Sequence, residues 1–350
     1  MVLILTPDDM RGLVSIGEAI DAFESAFNDW ARNQPPGGLR QRVHAPSGAR
    51  ILLHQGLAYS ADALGIAVHC EMVHVADDGR QRFSTMGSPV RVIYDADTAR
   101  LRAILIGELY PEELPSSHAV VGLPTAAASA VGTKLLARPD ATTLGLLGAG
   151  TQARYHLVAA NHIRPLERVR VYSPTQASRE GFASEMQTVL GIDVQAVDHP
   201  AEAVKDADIV LLATNTNTPV LDGEWLAEGA HVTSIVWSSS PLQKRRELDD
   251  TTLRRAAVVA TNSLQQVEAD QGADLWDTVE SGVLSRDKLV DLGEIIRGDV
   301  PGRSSDEEIT VFKNCAFWGM GDQAVASLLV QRAEERGLGT PIDAPVAQYR

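Results

Sequence analysis

The residues from Thr142 to Ala153 read Thr-Thr-Leu-Gly-Leu-Leu-Gly-Ala-Gly-Thr-Gln-Ala, and their types and spacing suit one task, the cradling of a dinucleotide pyrophosphate. Leu144 to Leu147 predicts a strand, Gly148 and Gly150 a tight turn, and Gln152 to Ala160 a helix. Gly148 can take a backbone conformation closed to other residues, Gly150 holds no side chain against a phosphate, and Ala153 lets helix and strand approach. Ala149, Thr151 and Gln152 complete the candidate cofactor turn, where unpaired N–H groups at a helix start attract an anion. An ordinary strand-to-helix turn shares the pattern, so it carries weight only in this context. The next strand ends Val171-Tyr172-Ser173-Pro174-Thr175, with no carboxylate to accept from an adenosine ribose. Ser173, Thr175 and Arg179 offer donors for a 2′-phosphate instead, which favours NADP, with NAD the alternative. Arg40 and Arg42 follow the turn-forming run Asn33 to Gly38 and form a candidate clamp for a substrate carboxylate; solvated arginines on a strand are the competing reading.

The elements that must position these groups follow from periodicity. Ile16, Ile20, Phe23 and Phe27 predict an amphipathic helix over Ser15 to Trp30. Short apolar runs at Ile51 to His54, Leu64 to His69, Val90 to Tyr94 and Leu101 to Ile106 predict a strand-rich unit. Small residues from Val120 to Leu136, with Pro124 near the start, predict a helix leading into the glycine-rich strand. Beyond it, strands at Val169 to Tyr172, Val194 to Val197, Ile209 to Ala213, Val232 to Val236 and Ala257 to Ala260 alternate with helical segments at Arg179 to Leu190, Ala201 to Val204 and, more weakly, Glu224 to Ala227. That is the doubly wound pattern of a parallel α/β sheet. A last helix, Asp322 to Arg336, stops at Gly337, is expected to have no strand after it, and returns to the N-terminal unit.

At 350 residues the chain has room for two domains, and a net charge of −15 spread along it opposes binding to nucleic acid. No stretch approaches a membrane span. Cys70 and Cys315 match no metal-ligand or CxxC spacing, which predicts buried, reduced thiols; no metal site is expected. The N-terminus lacks a basic leader, and the expected location is cytoplasmic.

As an ordered set, several motifs resemble the ornithine cyclodeaminase/μ-crystallin family: Leu146 to Ala153, Asp208-Ile209-Val210 with Ala213-Thr214 and Pro219-Val220, Glu228 to His231, Arg246-Glu247-Leu248, and Glu308 to Lys313. The resemblance implies a Rossmann dinucleotide-binding domain at 123–315 and a mixed-sheet substrate and dimerisation domain at 1–122 with 316–350, assembled as a homodimer. It places Thr125, Thr214 and Asn215 at the cofactor. It also exposes three departures. Pro124 stands where the family has an arginine that grips the substrate carboxylate. Ala67 stands where a lysine is common; on a strand, His69 and Glu71 would face the same way as Ala67, making His69 a candidate proton donor and Glu71 a substrate contact. Trp237, Ser238, Ser239 and Ser240 occupy the stretch where cyclodeaminases carry an aspartate, leaving Ser238 as a substrate contact.

Three functions remain in view. An NADP-dependent reductase of a small imine, ketimine or keto acid needs a hydride, a held acceptor and one proton, for which His69 and His118 are the candidate catalytic groups. A redox-neutral ornithine-cyclodeaminase-type ammonia lyase would need the groups replaced at 67, 124 and 238–240. A non-catalytic NADP-binding protein would show the same losses.

Overall fold

The computed structural model describes residues 1–33, 38–77, 81–114, 122–238, 243–316 and 319–344. The chain divides into two compact units, one of Met1–His74, Arg82–Pro124 and Trp318–Arg350, the other of Val75–Gln81 and Thr125–Phe317.

The first unit begins with β1 (Val2–Leu5) and the helix Ile16–Asn33, in which Ile16, Ile20, Phe23 and Phe27 are all buried. The predicted 3.6-residue stripe is therefore the core face, and each such side chain contributes roughly 1.5–3 kcal/mol through burial. Strands β2 (Gln41–His44), β3 (Ala49–Ala58), β4 (Ala63–Val75), β5 (Gln81–Met86), β6 (Val90–Asp95) and β7 (Leu101–Ile106) follow. Along β4, Ala63, Gly65, Ala67, His69, Glu71 and Val73 are buried while the intervening residues are not, the period of two expected of a strand.

The helix Gly122–Leu136 carries the chain into the second unit, where β8 (Thr143–Leu147), β9 (Arg168–Tyr172), β10 (Asp193–Ala196), β11 (Ile209–Leu212), β12 (His231–Ser234), β13 (Ala256–Thr261), β14 (Leu289–Asp291) and β15 (Ile309–Lys313) form one parallel sheet in the order β10-β9-β8-β11-β12-β15-β13-β14. The order reverses at β8, the strand that ends in the glycine-rich turn. Strand β15 lies between β12 and β13 and is buried along its length, so Ile309, Val311 and Phe312 show no alternation of exposure with Thr310 and Lys313. The weak helical segment near Glu224 is a single 3-10 turn, Gly223–Trp225.

The chain returns to the first unit through the helix Gly319–Arg336, which packs on β3 and on the first helix. The expectation that no strand follows is incorrect. After Gly337 to Gly339 the chain forms β16 (Thr340–Ile342), antiparallel to β1, and the first sheet runs β16-β1-β7-β6-β4-β3-β2 with β5 on β4. Pro341 obscured it; an edge strand tolerates the missing N–H. The β1–β7 pair is parallel, whereas β16–β1, β7–β6, β6–β4, β4–β3 and β3–β2 are antiparallel, giving the mixed sheet. On it, Arg91 Nε meets Asp322 Oδ2 at 3.0 Å, both side chains fully buried, and Arg91 Nη1 donates to the Gly107 carbonyl.

Candidate active site

In the second unit, Gly148 follows β8 with φ +117°, and a Cβ there would lie 2.2 Å from the Ala213 carbonyl oxygen. Conformation and space both demand glycine. The Gly148 N–H donates to the Tyr172 carbonyl at 2.8 Å, joining the turn to the end of β9. Gly150 caps the helix Thr151–Ile163 in an extended conformation that any residue can adopt, yet a Cβ on it would meet nothing within 4 Å. Its lack of a side chain thus leaves open space in front of a helix N-terminus, which fits a pyrophosphate. Ala153 is fully buried beneath. Arg154, unremarked in the sequence, braces the turn: Nη1 donates to the Ala149 and Gly150 carbonyls, while Nη2 pairs with Glu185 at 2.6 Å and the guanidinium lies over Phe182. Only its i,i+4 relation to Gly150 hinted at this.

Ser173 and Thr175 follow the end of β9, and Thr175 makes no capping bond with its hydroxyl. Arg179 is buried and already paired: Nη2 meets Asp198 Oδ1 at 2.5 Å and Nη1 donates to the Ser173 carbonyl. The partner acid lies 19 residues away, beyond local pattern. Thr125 and Gln152 lie on helices flanking the turn, and the Thr125 carbonyl accepts from Asn314. Thr214 and Asn215 follow β11, but their side chains serve the loop. The Thr214 N–H and Oγ1 both donate to Glu247, at 2.9 and 2.7 Å, while Asn215 donates to the Gln81 carbonyl and accepts from Arg245. Ser238 is likewise internal, accepting from the Ala273 N–H at 3.4 Å; Ser239 and Ser240 lie outside the described residues.

In the first unit, the buried face of β4 carries Ala67, His69 and Glu71 together. Register adds their neighbours: Leu52 then Arg42 beside His69, His54 and Arg91 on either side of Ala67, and Arg50 then His44 beside Glu71. Cross-strand partners share a face, so three arginines and three histidines converge where the sequence shows scattered residues. Glu71 pairs with Arg50, and the His54 and His69 rings stack with centroids 5.7 Å apart. Arg40 precedes β2 and is half-buried, and His118 lies outside the described residues. The expected titration of His69 near neutral pH is corrected here. Burial, reinforced by Arg91, Arg50 and Arg42, lowers its pKa to about 3, and His54 is pushed down by burial and by His69. Both rings are neutral at pH 7, able to give or take a hydrogen bond but not to supply an imidazolium proton.

Among the described residues no three His, Cys, Asp or Glu side chains gather as metal ligands, and no helix is long and apolar enough to cross a membrane. Cys70 and Cys315 form no disulfide; Cys315 is buried, but Cys70 is exposed, contrary to expectation.

A parallel doubly wound sheet with this cradle at its switch point, together with a mixed sheet bearing a buried polar face, defines a nicotinamide-dinucleotide oxidoreductase. The ornithine cyclodeaminase/mu-crystallin family pattern matches residues 108–337, and the chain belongs to that family. An uncharacterized cyclodeaminase of Sinorhizobium fredii is 32% identical, covering 96% of this chain and 97% of its own. The Delta(1)-pyrroline-2-carboxylate reductase of Bacillus cereus is 28% identical over 98% of this chain and 100% of its own. Among solved structures, the Thermococcus litoralis Delta(1)-pyrroline-2-carboxylate reductase in complex with NADH and L-proline superposes with a TM-score of 0.84 at 28% identity, covering 97% of this chain and 100% of that one.

Proposed function

We propose that this enzyme reduces a small cyclic imine or ketimine bearing a carboxylate, with a keto acid plus amine as a related acceptor pair. The observation that carries the reading is the buried face of β4 and its neighbours, where His69 and Glu71 share the face of Ala67 and Arg42 shares the face of His69 two strands away as a candidate carboxylate partner. A reduced nicotinamide, when bound, would supply hydride to the imine carbon, with the C=N electron pair passing to nitrogen. Because His69 is neutral, its role is to hold the substrate nitrogen by a hydrogen bond while the imine is taken up in its protonated form; Glu71 favours that cation. Two of the relatives above bear the name of an imine reductase. Cyclodeamination fits less well, since Pro124 and Ala67 replace an arginine and a lysine and no Asp or Glu lies from Ala230 to Arg246, the stretch where cyclodeaminases carry their aspartate.

For the cofactor we propose NADPH over NADH, with Ser173, Thr175 and Arg179 around the 2′-phosphate. Arg179 would exchange Asp198 for the phosphate, and because Asp198 is largely exposed, it returns to water at little cost. We further propose a cytoplasmic homodimer. The face of the first sheet opposite His69 carries exposed or half-buried Leu64, Ile66, Val68, Val92, Tyr94 and Ile106, a contiguous apolar surface suited to a second copy.

The test follows NADPH and NADH absorbance against cyclic imine carboxylates, keto acids with ammonia or methylamine, and plain ketones, with ornithine assayed for proline and ammonia. Imine turnover that falls at least tenfold in His69→Ala supports the reading, and His118→Ala separates the second candidate. Proline formation from ornithine overturns it. Tight dinucleotide binding without turnover on any acceptor identifies a binder instead.

A further inference from the structure

Glu247 is fully buried, and its carboxylate accepts five hydrogen bonds within the second unit. Oε1 takes the Thr214 N–H at 2.9 Å and the Thr214 hydroxyl at 2.7 Å. Oε2 takes the Ser234 hydroxyl at 2.8 Å and the N–H groups of Ile235 and Val236 at 3.0 and 2.9 Å. Those donors lie at or just past the carboxyl ends of β11 and β12. Ser234 also accepts from Lys313 Nζ at 2.7 Å, at the end of β15, and Lys313 pairs with Asp274 at 2.5 Å. Asp274 closes the net by accepting from the Leu248 N–H at 3.2 Å. One buried ionic net therefore ties together three adjacent strand ends.

Those ends lie on one side of the switch point. The pyrophosphate cradle is at β8 and the adenosine side at β9, so the nicotinamide half of the cofactor extends over β11 and β12. We infer that Glu247 is a positioning residue for the nicotinamide half of the dinucleotide, with Ser234 linking it to the Lys313–Asp274 pair. The inference rests on the dinucleotide reading of the second unit and is independent of which acceptor is reduced. Glu247 and its net touch no reacting atom; they set the path of the two loops that do, by pinning three N–H groups and a threonine hydroxyl that would otherwise turn to water or to the cofactor itself. A carboxylate is required because all five partners donate, which an amide nitrogen cannot accept.

The experiment compares a whole cofactor with its adenosine half. The Kd values of NADPH and 2′-phospho-ADP-ribose, with NADH and ADP-ribose in parallel, are measured for the unmodified chain, Glu247→Gln and Ser234→Ala. Glu247→Gln is expected to weaken the whole cofactors at least tenfold and the half cofactors less than twofold. Ser234→Ala removes one of the five bonds and is expected to show the same selectivity at about threefold, which keeps the test decisive if Glu247→Gln fails to fold. Equal weakening of whole and half cofactors, or no change in either, overturns the assignment and leaves the net a purely structural one. If the unmodified chain binds neither whole nor half cofactor, the dinucleotide reading itself falls and takes the inference with it.

Discussion

Gly150→Val separates the fold from the cofactor more cleanly than any other single change. The residue caps the helix Thr151–Ile163 at φ −86° and ψ −171°, a region valine occupies without strain, and an added Cβ meets nothing within 4 Å. Replacing a glycine cap by an aliphatic residue costs up to about 1 kcal/mol, which corresponds to roughly 2–4 °C in Tm for a domain of this size. The same side chain occupies the space a pyrophosphate needs against the helix N–H groups. Loss of that contact is expected to weaken NADPH and NADH at least about 100-fold, roughly 2.7 kcal/mol. Thermal melts with and without cofactor read both numbers at once. At a concentration of about 100 Kd, the unmodified protein gains roughly 2.7 kcal/mol of stability, whereas the variant gains at most about 0.4 kcal/mol. Gly148→Ala is the control with the opposite signature. At φ +117° and against the Ala213 carbonyl, it is expected to lose at least about 2 kcal/mol of stability even without cofactor. Unchanged cofactor affinity in Gly150→Val would refute the assignment of this turn. A collapse of its cofactor-free Tm to the Gly148→Ala value would refute the reasoning from open space.

Asp322→Asn leaves Arg91 buried without a counter-charge and is expected to destabilise the protein by about 3–5 kcal/mol, read from urea unfolding; a change below about 1 kcal/mol would count against the pairing. Acid should unfold the protein early. His69 and His231 are lowered to about 3 and His156 to about 4, each chiefly by burial, so below the unfolded value of about 6.5 the unfolded chain binds protons that the native chain does not. Stability is therefore full above about pH 7 and falls as pH drops from 6.5 toward 4, at roughly 1.4 kcal/mol per pH unit per histidine. Asp291, raised to about 6, offsets one of the three over the same interval. Equal urea midpoints at pH 7.5 and pH 5 would contradict this. Leu64→Glu combined with Tyr94→Lys should convert the proposed dimer to a monomer by sedimentation while leaving cofactor affinity within twofold; a monomeric unmodified protein would remove the basis for the pair.

Short-range signals carried much of what could be read from the residues alone. The turn at Gly148 and Gly150, the stripe Ile16, Ile20, Phe23 and Phe27, and the shared orientation of Ala67, His69 and Glu71 each depend on spacings of a few residues, and sequence order preserves those spacings. The alternation after residue 142 likewise implied a parallel sheet, because parallel neighbours need crossover helices. Tertiary structure decided the rest, where partners are distant in the chain. Nothing local places β15 between β12 and β13, or sets β16 beside β1. No nearby residue shows that Arg179 is held by Asp198, or that His54 stacks on His69. The protonation of His69 belongs to the same class. The residue type suggests a group that titrates near neutrality; burial and three arginines arriving from other strands hold it neutral, because desolvation and Coulomb repulsion depend on distance in space rather than along the chain.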